Sequence, residues 1–310
     1  MANRALGGSG LKTPKLVLGG NVLGWNLSGD EAFRVLDRFA EAGGAMIDTA
    51  DVYSAWVPGH KGGESESLIG EWLKRRGGKG DMLIATKVGY FGGLSAAHIA
   101  KAVEASLARL GTDVIDLYYA HKDDAATPLE ETLGAFDALV QAGKVRAIGA
   151  SNYSAERLAE ALDISAREGL TPYTVLQPEY NLMTRGSYEG PLQALCVRRD
   201  IGVLPYFGLA SGFLTGKYRS EADFGKSIRG DRMTAYLNER GHRVLAALDE
   251  IAAETGATQA QVALAWLAAQ PGVTAPIASA TGVAQLDELL GVLTLELNSE
   301  QVERLITASA

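Results

Sequence analysis

The sequence is poor in cysteine and in clustered positive charge. Its single cysteine, Cys196, cannot form a disulfide within the chain and cannot assemble a thiolate metal site. The chain has 37 Asp and Glu but only 29 Lys and Arg, so its formal net charge is −8. No basic cluster is present to bind a phosphate backbone. These shortages exclude a disulfide-stapled domain and argue against nucleic acid as a partner.

Long apolar runs and metal-binding motifs are also missing. The longest apolar run, residues 262–269, is too short to span a bilayer, and the first residues do not form the apolar core of a secretory signal. His60, His98, His121 and His242 are dispersed, without HxH or HExxH spacing. We therefore expect a cytoplasmic protein that binds neither a membrane nor a metal ion.

Short aliphatic runs alternate with amphipathic segments along the chain. The runs predict eight strands, near residues 16–18, 45–47, 82–85, 114–119, 145–148, 175–176, 203–204 and 273–277. The amphipathic segments predict helices, at residues 31–42, 64–76, 95–110, 128–142, 155–167, 187–199 and 258–269. The predicted helix N-caps are Ser95, Thr127 and Ser154.

This alternation predicts an α/β protein with a (β/α)8 TIM barrel. Most predicted strands follow one another at roughly the spacing of one βαβ unit, which builds parallel sheets. Eight such units fit a closed barrel, and no GxGxxG motif follows a strand as it would in an open dinucleotide-binding sheet. We expect a single domain over residues 1–310. The polar segment 218–234, inside the long stretch before the last strand, is expected to be a functional loop.

Polar residues end the predicted strands where a barrel enzyme carries its chemistry. In this fold the active site lies at the carboxyl ends of the strands. Asp48 ends the second strand, with Tyr53 in the loop that follows, while Lys87 ends the third strand and His121 the fourth. We therefore expect an acid, a phenol, an ammonium and an imidazole at one mouth of the barrel.

These four side chains suit the reduction of a carbonyl group. The reaction needs hydride at carbon and a proton at oxygen, and a tyrosine can supply the proton. Free phenol has a pKa of about 10, so the ammonium of Lys87 is expected to favour the ionised form of Tyr53. Asp48 would keep Lys87 charged and oriented, and His121 would orient the carbonyl oxygen.

The same segments resemble the aldo-keto reductase superfamily over nearly the whole chain. The resemblance lies in residues 47–53 (IDTADVY) with 63–66 (GESE), in 86–87 (TK), in 117–121 (LYYAH) and in 143–152 (GKVRAIGASN). It implies NADPH-dependent reduction of aldehydes or ketones to alcohols. It also implies a catalytic tetrad of Asp48, Tyr53, Lys87 and His121, with Tyr53 as the general acid and base.

The resemblance further implies a set of contacts to a nicotinamide cofactor. Ser151, Asn152 and Gln177 would bind the carboxamide, and Tyr206 would stack on the ring. Residues 206–218 resemble the loop over the pyrophosphate, where Lys217 would meet negative charge, and residues 276–289 resemble the segment at the adenosine end. The implied cofactor-binding residues are Gly20, Asn21, Asp48, Ser151, Asn152, Gln177, Tyr206, Phe207, Leu209, Ala210, Ser211, Gly212, Leu214, Lys217, Ala278, Ser279, Ala280, Thr281, Gln285 and Glu288.

The adenosine segment departs from the common pattern of the family. Many members carry Arg or Lys near Ser279, Thr281 or Gln285 to pair with the 2′-phosphate, and often Asn at the position of Leu289. NADP(H) is still expected in preference to NAD(H). That expectation rests on the tendency of the family and on the hydroxyls of Ser279 and Thr281, which could reach a phosphate.

Aromatic residues near the strand ends predict an apolar substrate pocket. The pocket candidates are Trp25, Trp56, Tyr90 and Phe91, with Phe213 as a further aromatic residue of the region. Such surface suits an aromatic or apolar small-molecule carbonyl compound.

Two other functions would use the same residues. Lys87 could be a Schiff-base nucleophile, although Asp48 would raise its pKa where that chemistry needs a lowered one. A cofactor-binding redox sensor or regulatory subunit with little turnover, like the potassium-channel β subunits of the superfamily, would keep the same tetrad. Turnover of simple carbonyl compounds distinguishes a reductase from such a protein.

Overall fold

The strands of the chain form a hairpin and one parallel sheet. A computed structural model describes residues 3–226 and 230–310. Strands β1 (Arg4–Ala5) and β2 (Lys12–Thr13) pair antiparallel. Eight parallel strands follow, in the sheet order β10-β3-β4-β5-β6-β7-β8-β9. Their bounds are β3 (Val17–Gly19), β4 (Met46–Asp48), β5 (Leu83–Val88), β6 (Ile115–Ala120), β7 (Val145–Ser151), β8 (Val175–Gln177), β9 (Gly202–Val203) and β10 (Ile277–Ala278).

Backbone hydrogen bonds close this sheet into a barrel. The N–H of Val203 donates to Gly272 O at 3.2 Å, and the N–H of Thr274 donates to Val203 O at 2.9 Å. These bonds join the segment before β10 to β9, so the predicted (β/α)8 barrel is confirmed. The predicted strand at 273–277 is wrong in its bounds, because Val273 forms only an isolated bridge with Val203 and regular pairing begins at Ile277.

Helices alternate with the strands as predicted. They are α1 (Gly29–Glu41), α2 (Glu64–Arg75), α3 (Ala96–Leu110), α4 (Leu129–Gln141), α5 (Ala155–Glu168), α6 (Pro191–Arg198), α7 (Glu239–Thr255), α8 (Gln259–Ala268), α9 (Val283–Leu290) and α10 (Ser299–Ala308). Ser95 and Ser154 cap α3 and α5 by accepting from the third backbone N–H of each helix. Within the described ranges, none of these helices is long and apolar enough to cross a membrane.

The helices differ from the sequence prediction in one cap, in the bounds of α6 and in their number. Thr127 does not cap α4, because its hydroxyl donates to Asp124 Oδ2 at 2.7 Å and Pro128 occupies the cap position. Helix α6 is shorter than predicted and begins at Pro191, where the fixed φ of proline suits a first helical residue. Helices α7, α9 and α10 were not predicted, and α7 occupies part of the long stretch before the last strand. Residues 227–229 of the predicted loop lie outside the described residues.

The barrel interior is filled by side chains, and the N-terminal hairpin plugs its lower end. Inward-facing residues from several strands, among them Met46, Leu117 and Tyr119, form one buried cluster with Leu6 and Leu11 of the hairpin. The N–H of Gly8 donates to the carbonyl of Asp200, just before β9 begins, so the hairpin covers the amino ends of the strands. The carboxyl ends of the strands are left free at the opposite mouth.

Candidate active site

The four predicted tetrad residues meet at the carboxyl mouth of the barrel. Lys87 Nζ, buried inside β5, donates to Asp48 Oδ2 at 2.6 Å, to the carbonyl of Thr49 at 2.7 Å and to Tyr53 Oη at 3.0 Å. The Tyr53 ring lies 6.1 Å from the His121 ring, centroid to centroid. One ammonium group therefore joins the carboxylate to the phenol, and the imidazole stands beside the phenol.

The charges in this cluster are set by burial and by mutual contact. Burial raises the pKa of Tyr53 above its usual value, while the charge of Lys87 opposes that rise. For Lys87 burial acts to lower the pKa, but Asp48 and Tyr53 together raise it above the ordinary value of lysine. At neutral pH the geometry thus holds a protonated phenol against a charged ammonium.

His121 is neutral over the physiological pH range. Burial, followed by the positive charges of Lys87 and Lys122, lowers the pKa of His121 to about 2. Within the described residues, its Nδ1 is buried without a hydrogen-bond partner, while its backbone carbonyl accepts from Asn152 Nδ2 at 2.9 Å. A neutral imidazole can orient a carbonyl oxygen without competing with Tyr53 as an acid.

A chain of hydrogen bonds forms the wall beside the tetrad. The amide of Gln177 donates to Asp48 Oδ1 at 2.8 Å, and Ser151 Oγ donates to the carbonyl of Gln177 at 2.8 Å. Asn152 Nδ2 donates to Ser151 Oγ at 3.0 Å, and Tyr206 Oη donates to Asn152 Oδ1 at 2.7 Å. This wall places amide and hydroxyl groups in fixed orientations next to the acid and base pair.

A cleft of about 430 Å³ runs from the tetrad along the strand ends. Most residues predicted for the site line it. These are Asn21, Asp48, Tyr53, Trp56, Tyr90, His121, Ser151, Asn152, Gln177, Tyr206, Phe207, Leu209, Ser211, Gly212, Lys217, Ala278, Ser279, Thr281 and Gln285.

The loop after β9 borders the cleft with an unusual backbone. Phe207, Ala210 and Ser211 have φ values of 56°, 46° and 57°, in the left-handed region that non-glycine residues rarely adopt. Such conformations persist where the surroundings impose them, and they concentrate at ligand sites. Lys217 closes the same side of the cleft, with Nζ 5.1 Å from the Tyr218 ring centroid.

Some predicted site residues lie outside the cleft lining. Ala210, Leu214 and Ala280 are buried behind it, and Glu288 is exposed on α9. The N–H of Gly20 donates to the carbonyl of Asp48 at 2.7 Å, so this glycine supports the tetrad from beneath. The cofactor contacts of these five residues, like those of the residues that line the cleft, stay predictions.

The aromatic residues separate into three groups. Trp56 and Tyr90 line the cleft and are partly exposed. Trp25 packs edge-on against Trp56 at 5.7 Å, and Phe91 packs against Tyr90 at 5.2 Å, so both form a second row at the rim. Phe213 does not contribute to the pocket, because it is fully buried against Tyr236.

Six residues of the cleft were not named among the predicted contacts, although Gly208 and Thr215 lie in the predicted segment 206–218 and Ile277 in 276–289. Val22 and Asn26 lie in the loop after β3, and Gly208 and Thr215 lie within the loop after β9, both of which follow strand ends. Residues 19–26 follow the first barrel strand, so the position of active sites at strand ends predicts this loop at the site as well. The full set is Gly19, Val22, Asn26, Gly208, Thr215 and Ile277.

Comparison with known proteins gives one consistent family. The aldo/keto reductase family model matches residues 15–309. A probable voltage-gated potassium channel subunit beta from Arabidopsis thaliana is 34% identical over 93% of this chain and 90% of its own length. Aldo-keto reductase str7 from Strobilurus tenacellus is 34% identical over 89% of this chain and 80% of its own length. Aldo-keto reductase yakc [NADP(+)] from Schizosaccharomyces pombe is 33% identical over 87% of this chain and 80% of its own length. The resemblance predicted from the sequence is confirmed, and with it the class of oxidoreductase: this chain belongs to the aldo/keto reductase family.

Proposed function

We propose that this protein reduces aldehydes or ketones to alcohols with hydride from NADPH, and that Tyr53 donates the proton. The observation that carries the proposal is the single chain of contacts from Asp48 through Lys87 to Tyr53, at 2.6 and 3.0 Å. A phenol next to a buried, paired ammonium is suited to giving up a proton and taking it back.

The side chains of the cleft suit a nicotinamide cofactor. Ser151, Asn152 and Gln177 offer hydroxyl and amide groups to a carboxamide, and Tyr206 offers a ring face on the same wall. A cofactor bound there would supply the hydride to the carbonyl carbon. The loop of residues 207–212 and Lys217 would meet its phosphates, because turns with left-handed residues direct backbone N–H groups toward anions.

The side chains of the tetrad would neutralise the negative charge that develops on the substrate oxygen. Tyr53 would donate its hydroxyl proton to the carbonyl oxygen as hydride reaches the carbon, and Lys87 would stabilise the phenolate left behind. Neutral His121 would fix the direction of the carbonyl group. Asp48 would keep Lys87 charged, since its carboxylate contributes to the raised pKa of that lysine.

For the cofactor we propose a preference for NADP(H) over NAD(H). A relative named for NADP(+) and the hydroxyls of Ser279 and Thr281 at the cleft support this preference. The hydroxyl of Thr281 is engaged by Gln285 Oε1 at 3.1 Å. We therefore expect NADPH to bind more tightly than NADH by a modest factor, without the large advantage that a bidentate arginine confers.

The rim of the cleft favours an aromatic or apolar carbonyl substrate. Trp56 and Tyr90 line the cleft and are 51% and 43% exposed, with Trp25 packed edge-on against Trp56 and Phe91 against Tyr90. Large exposed rings at a cleft mouth gain from covering an apolar ligand. We keep the cytoplasm as the expected compartment of this reaction.

The first test is Tyr53→Phe, read by cofactor binding and by turnover. NADPH and NADH are titrated by fluorescence, and oxidation of the reduced cofactor is then followed by its absorbance with a panel of aromatic and aliphatic aldehydes. We expect the variant to lose about 100-fold or more of the turnover rate, which is the usual contribution of general acid catalysis. It should still bind NADPH. Full activity in the variant would remove Tyr53 from its assigned role.

A second candidate is a cofactor-binding regulatory subunit with little turnover. It is favoured by the similarity to a probable potassium channel subunit beta over 93% of the chain. The same titration separates the two functions. Binding of NADPH without oxidation by any aldehyde of the panel would support the regulatory subunit, whereas oxidation supports the reductase.

A further inference from the structure

A second group of ionisable residues lies outside the cleft lining, close to the tetrad, with Glu66 and Tyr118 buried and Asp51 and Arg109 partly buried. Asp51 belongs to the loop between β4 and Tyr53, and its N–H donates to the carbonyl of Lys87 at 3.2 Å. It does not line the cleft. Its carboxyl group lies within electrostatic range of Glu66 on α2, Arg109 on α3 and Tyr118 on β6. The loop that carries Tyr53 is thus attached to this second group through Asp51.

In this group Glu66 is fully hydrogen-bonded, whereas Asp51 and Tyr118 each keep a buried oxygen without a partner among the described residues. Glu66 is fully buried, and its two carboxylate oxygens accept from Thr86 Oγ1 at 2.6 Å and from Arg109 Nε at 2.7 Å. Within the described part of the chain, Asp51 Oδ1 and Tyr118 Oη are both buried without a hydrogen-bond partner. Glu66 therefore holds the guanidinium of Arg109, and the nearby Asp51 carboxyl keeps a buried oxygen without a partner in the ranges that the structure describes.

The charges balance only when one proton stays in the group. Two carboxylates and one guanidinium leave an excess negative charge, and the nearby ammonium of Lys87 is already paired with Asp48. A buried, uncompensated carboxylate is costly, and proteins avoid the cost by keeping the proton. Burial and the charge of Glu66 raise the pKa of Asp51 to about 7, against smaller opposing effects of Arg109 and Lys87.

We propose that Asp51 is a positioning residue that carries this proton, and that its protonated form holds the Tyr53 loop in its active arrangement. The inference rests on the proposed role of Tyr53. Asp51 is uncharged in this form, so the loop can stay packed against Tyr118 and the Glu66 and Arg109 pair. Ionisation places an unpaired negative charge there and pushes the loop outward, which draws Tyr53 Oη away from Lys87.

The test compares wild type with Asp51→Asn over the pH range 6 to 8.5. Asparagine has nearly the shape of the protonated acid and cannot ionise. The protonated fraction of a group with a pKa near 7 falls roughly 30-fold across this range. We expect wild-type kcat to fall by up to that factor as the pH rises, with little change in NADPH affinity. The kcat of Asp51→Asn should vary by no more than about twofold over the same pH range.

One further variant tests the direction in which the pH dependence of kcat shifts, and another is a matched control. Glu66→Gln removes the charge that raises the pKa of Asp51 and frees Arg109, which lowers it, so the fall in kcat should move to lower pH. Exposed Asp113→Asn is a matched acid-to-amide change and should reproduce the wild-type profile. A fall in kcat that persists unchanged in Asp51→Asn, or that moves to higher pH in Glu66→Gln, would overturn the proposal.

The protonated carboxyl group can also be observed without turnover. The infrared carbonyl stretch of a protonated carboxylic acid should be present in wild type at pH 6, weaken through pH 7 and be missing in Asp51→Asn. Its absence from wild type at pH 6 would refute the proposal even if the enzyme is active. If the band is present but no aldehyde is reduced, the proposed function fails while the buried proton stands.

Discussion

At the scale of single residues, Asp48 joins the two parts of the site. One carboxylate oxygen accepts from Lys87, which contacts Tyr53, and the other accepts from Gln177, which begins the polar wall. Both oxygens of a buried charge are therefore paired, which is the condition for keeping it ionised inside a protein. The acid and base pair and the predicted nicotinamide wall consequently share one anchor, and a shift of either part displaces the other.

The burial of His121 makes stability depend on pH in a defined direction. Its pKa is about 2 in the folded protein and about 6.5 in the unfolded chain. Between these values the unfolded state binds a proton that the folded state does not, so the free energy of unfolding falls as the pH decreases below 6.5. The loss reaches at most about 1.4 kcal/mol per pH unit. We expect His121→Gln to lose less stability than wild type between pH 7 and 4.5 in urea denaturation.

The control for this prediction is a histidine that is not buried. His242 is exposed on α7, so His242→Gln should follow the wild-type pH dependence. Parallel curves for wild type and His121→Gln would contradict the buried, neutral state of His121.

At the scale of elements, substitution of alanine for glycine should have opposite effects on stability at two positions, one in a strand and one in a helix. A methyl group at Gly149 in β7 would lie 2.6 Å from Tyr119 Cε1 and 2.8 Å from Val175 O, so Gly149→Ala should destabilise the barrel by about 1–3 kcal/mol. At Gly134 in α4 a methyl group meets nothing within 4 Å, and Gly134→Ala should stabilise by up to about 1 kcal/mol. Chemical denaturation of both variants measures the difference. Equal effects would mean that strand packing does not require the glycine.

The elements with a clear period were predictable from the sequence, and the others required the tertiary structure. Helix α7 buries Val244, Leu245, Leu248 and Ile251 at helical spacing, so its signal was present although it was not used. The strands of the hairpin have two residues each, too few for any periodicity. The cap of α4 depended on competition by Asp124 for the Thr127 hydroxyl, which no local pattern records.

Some residues of the site were likewise predictable from the sequence, and others required the tertiary structure. Strand ends bring Asp48, Lys87 and His121 together in any such barrel, and the sequence was sufficient to predict them. The environment of Asp51 was not predictable, because Glu66, Arg109 and Tyr118 come from three other elements. Their shared burial decides which carboxyl group keeps a proton, and burial of that kind follows from packing across the whole barrel.

At the scale of the whole molecule, stability and chemistry are concentrated at opposite ends of the barrel. The hairpin and the ion pairs that buried Asp116 forms with Lys79 and Arg146 lie toward the amino ends of the strands, and the cleft lies at the carboxyl ends. This division is general for the fold. One domain over residues 1–310 stays a prediction, and a single cooperative unfolding transition is what it requires.

Leu6 offers a test of this separation. Its fully buried side chain plugs the barrel against Gly202, where a methyl group would lie 2.7 Å from Leu6 Cδ1. Leu6→Ala leaves a cavity and should lower the free energy of unfolding by about 2–5 kcal/mol. Val197→Ala, at a site that is 53% exposed, should change it by less than about 0.5 kcal/mol. Because the plug is remote from the cleft, kcat and KM of Leu6→Ala should match wild type at temperatures where the variant is folded. A tenfold loss of kcat there would mean that the hairpin end and the cleft are coupled through the barrel interior.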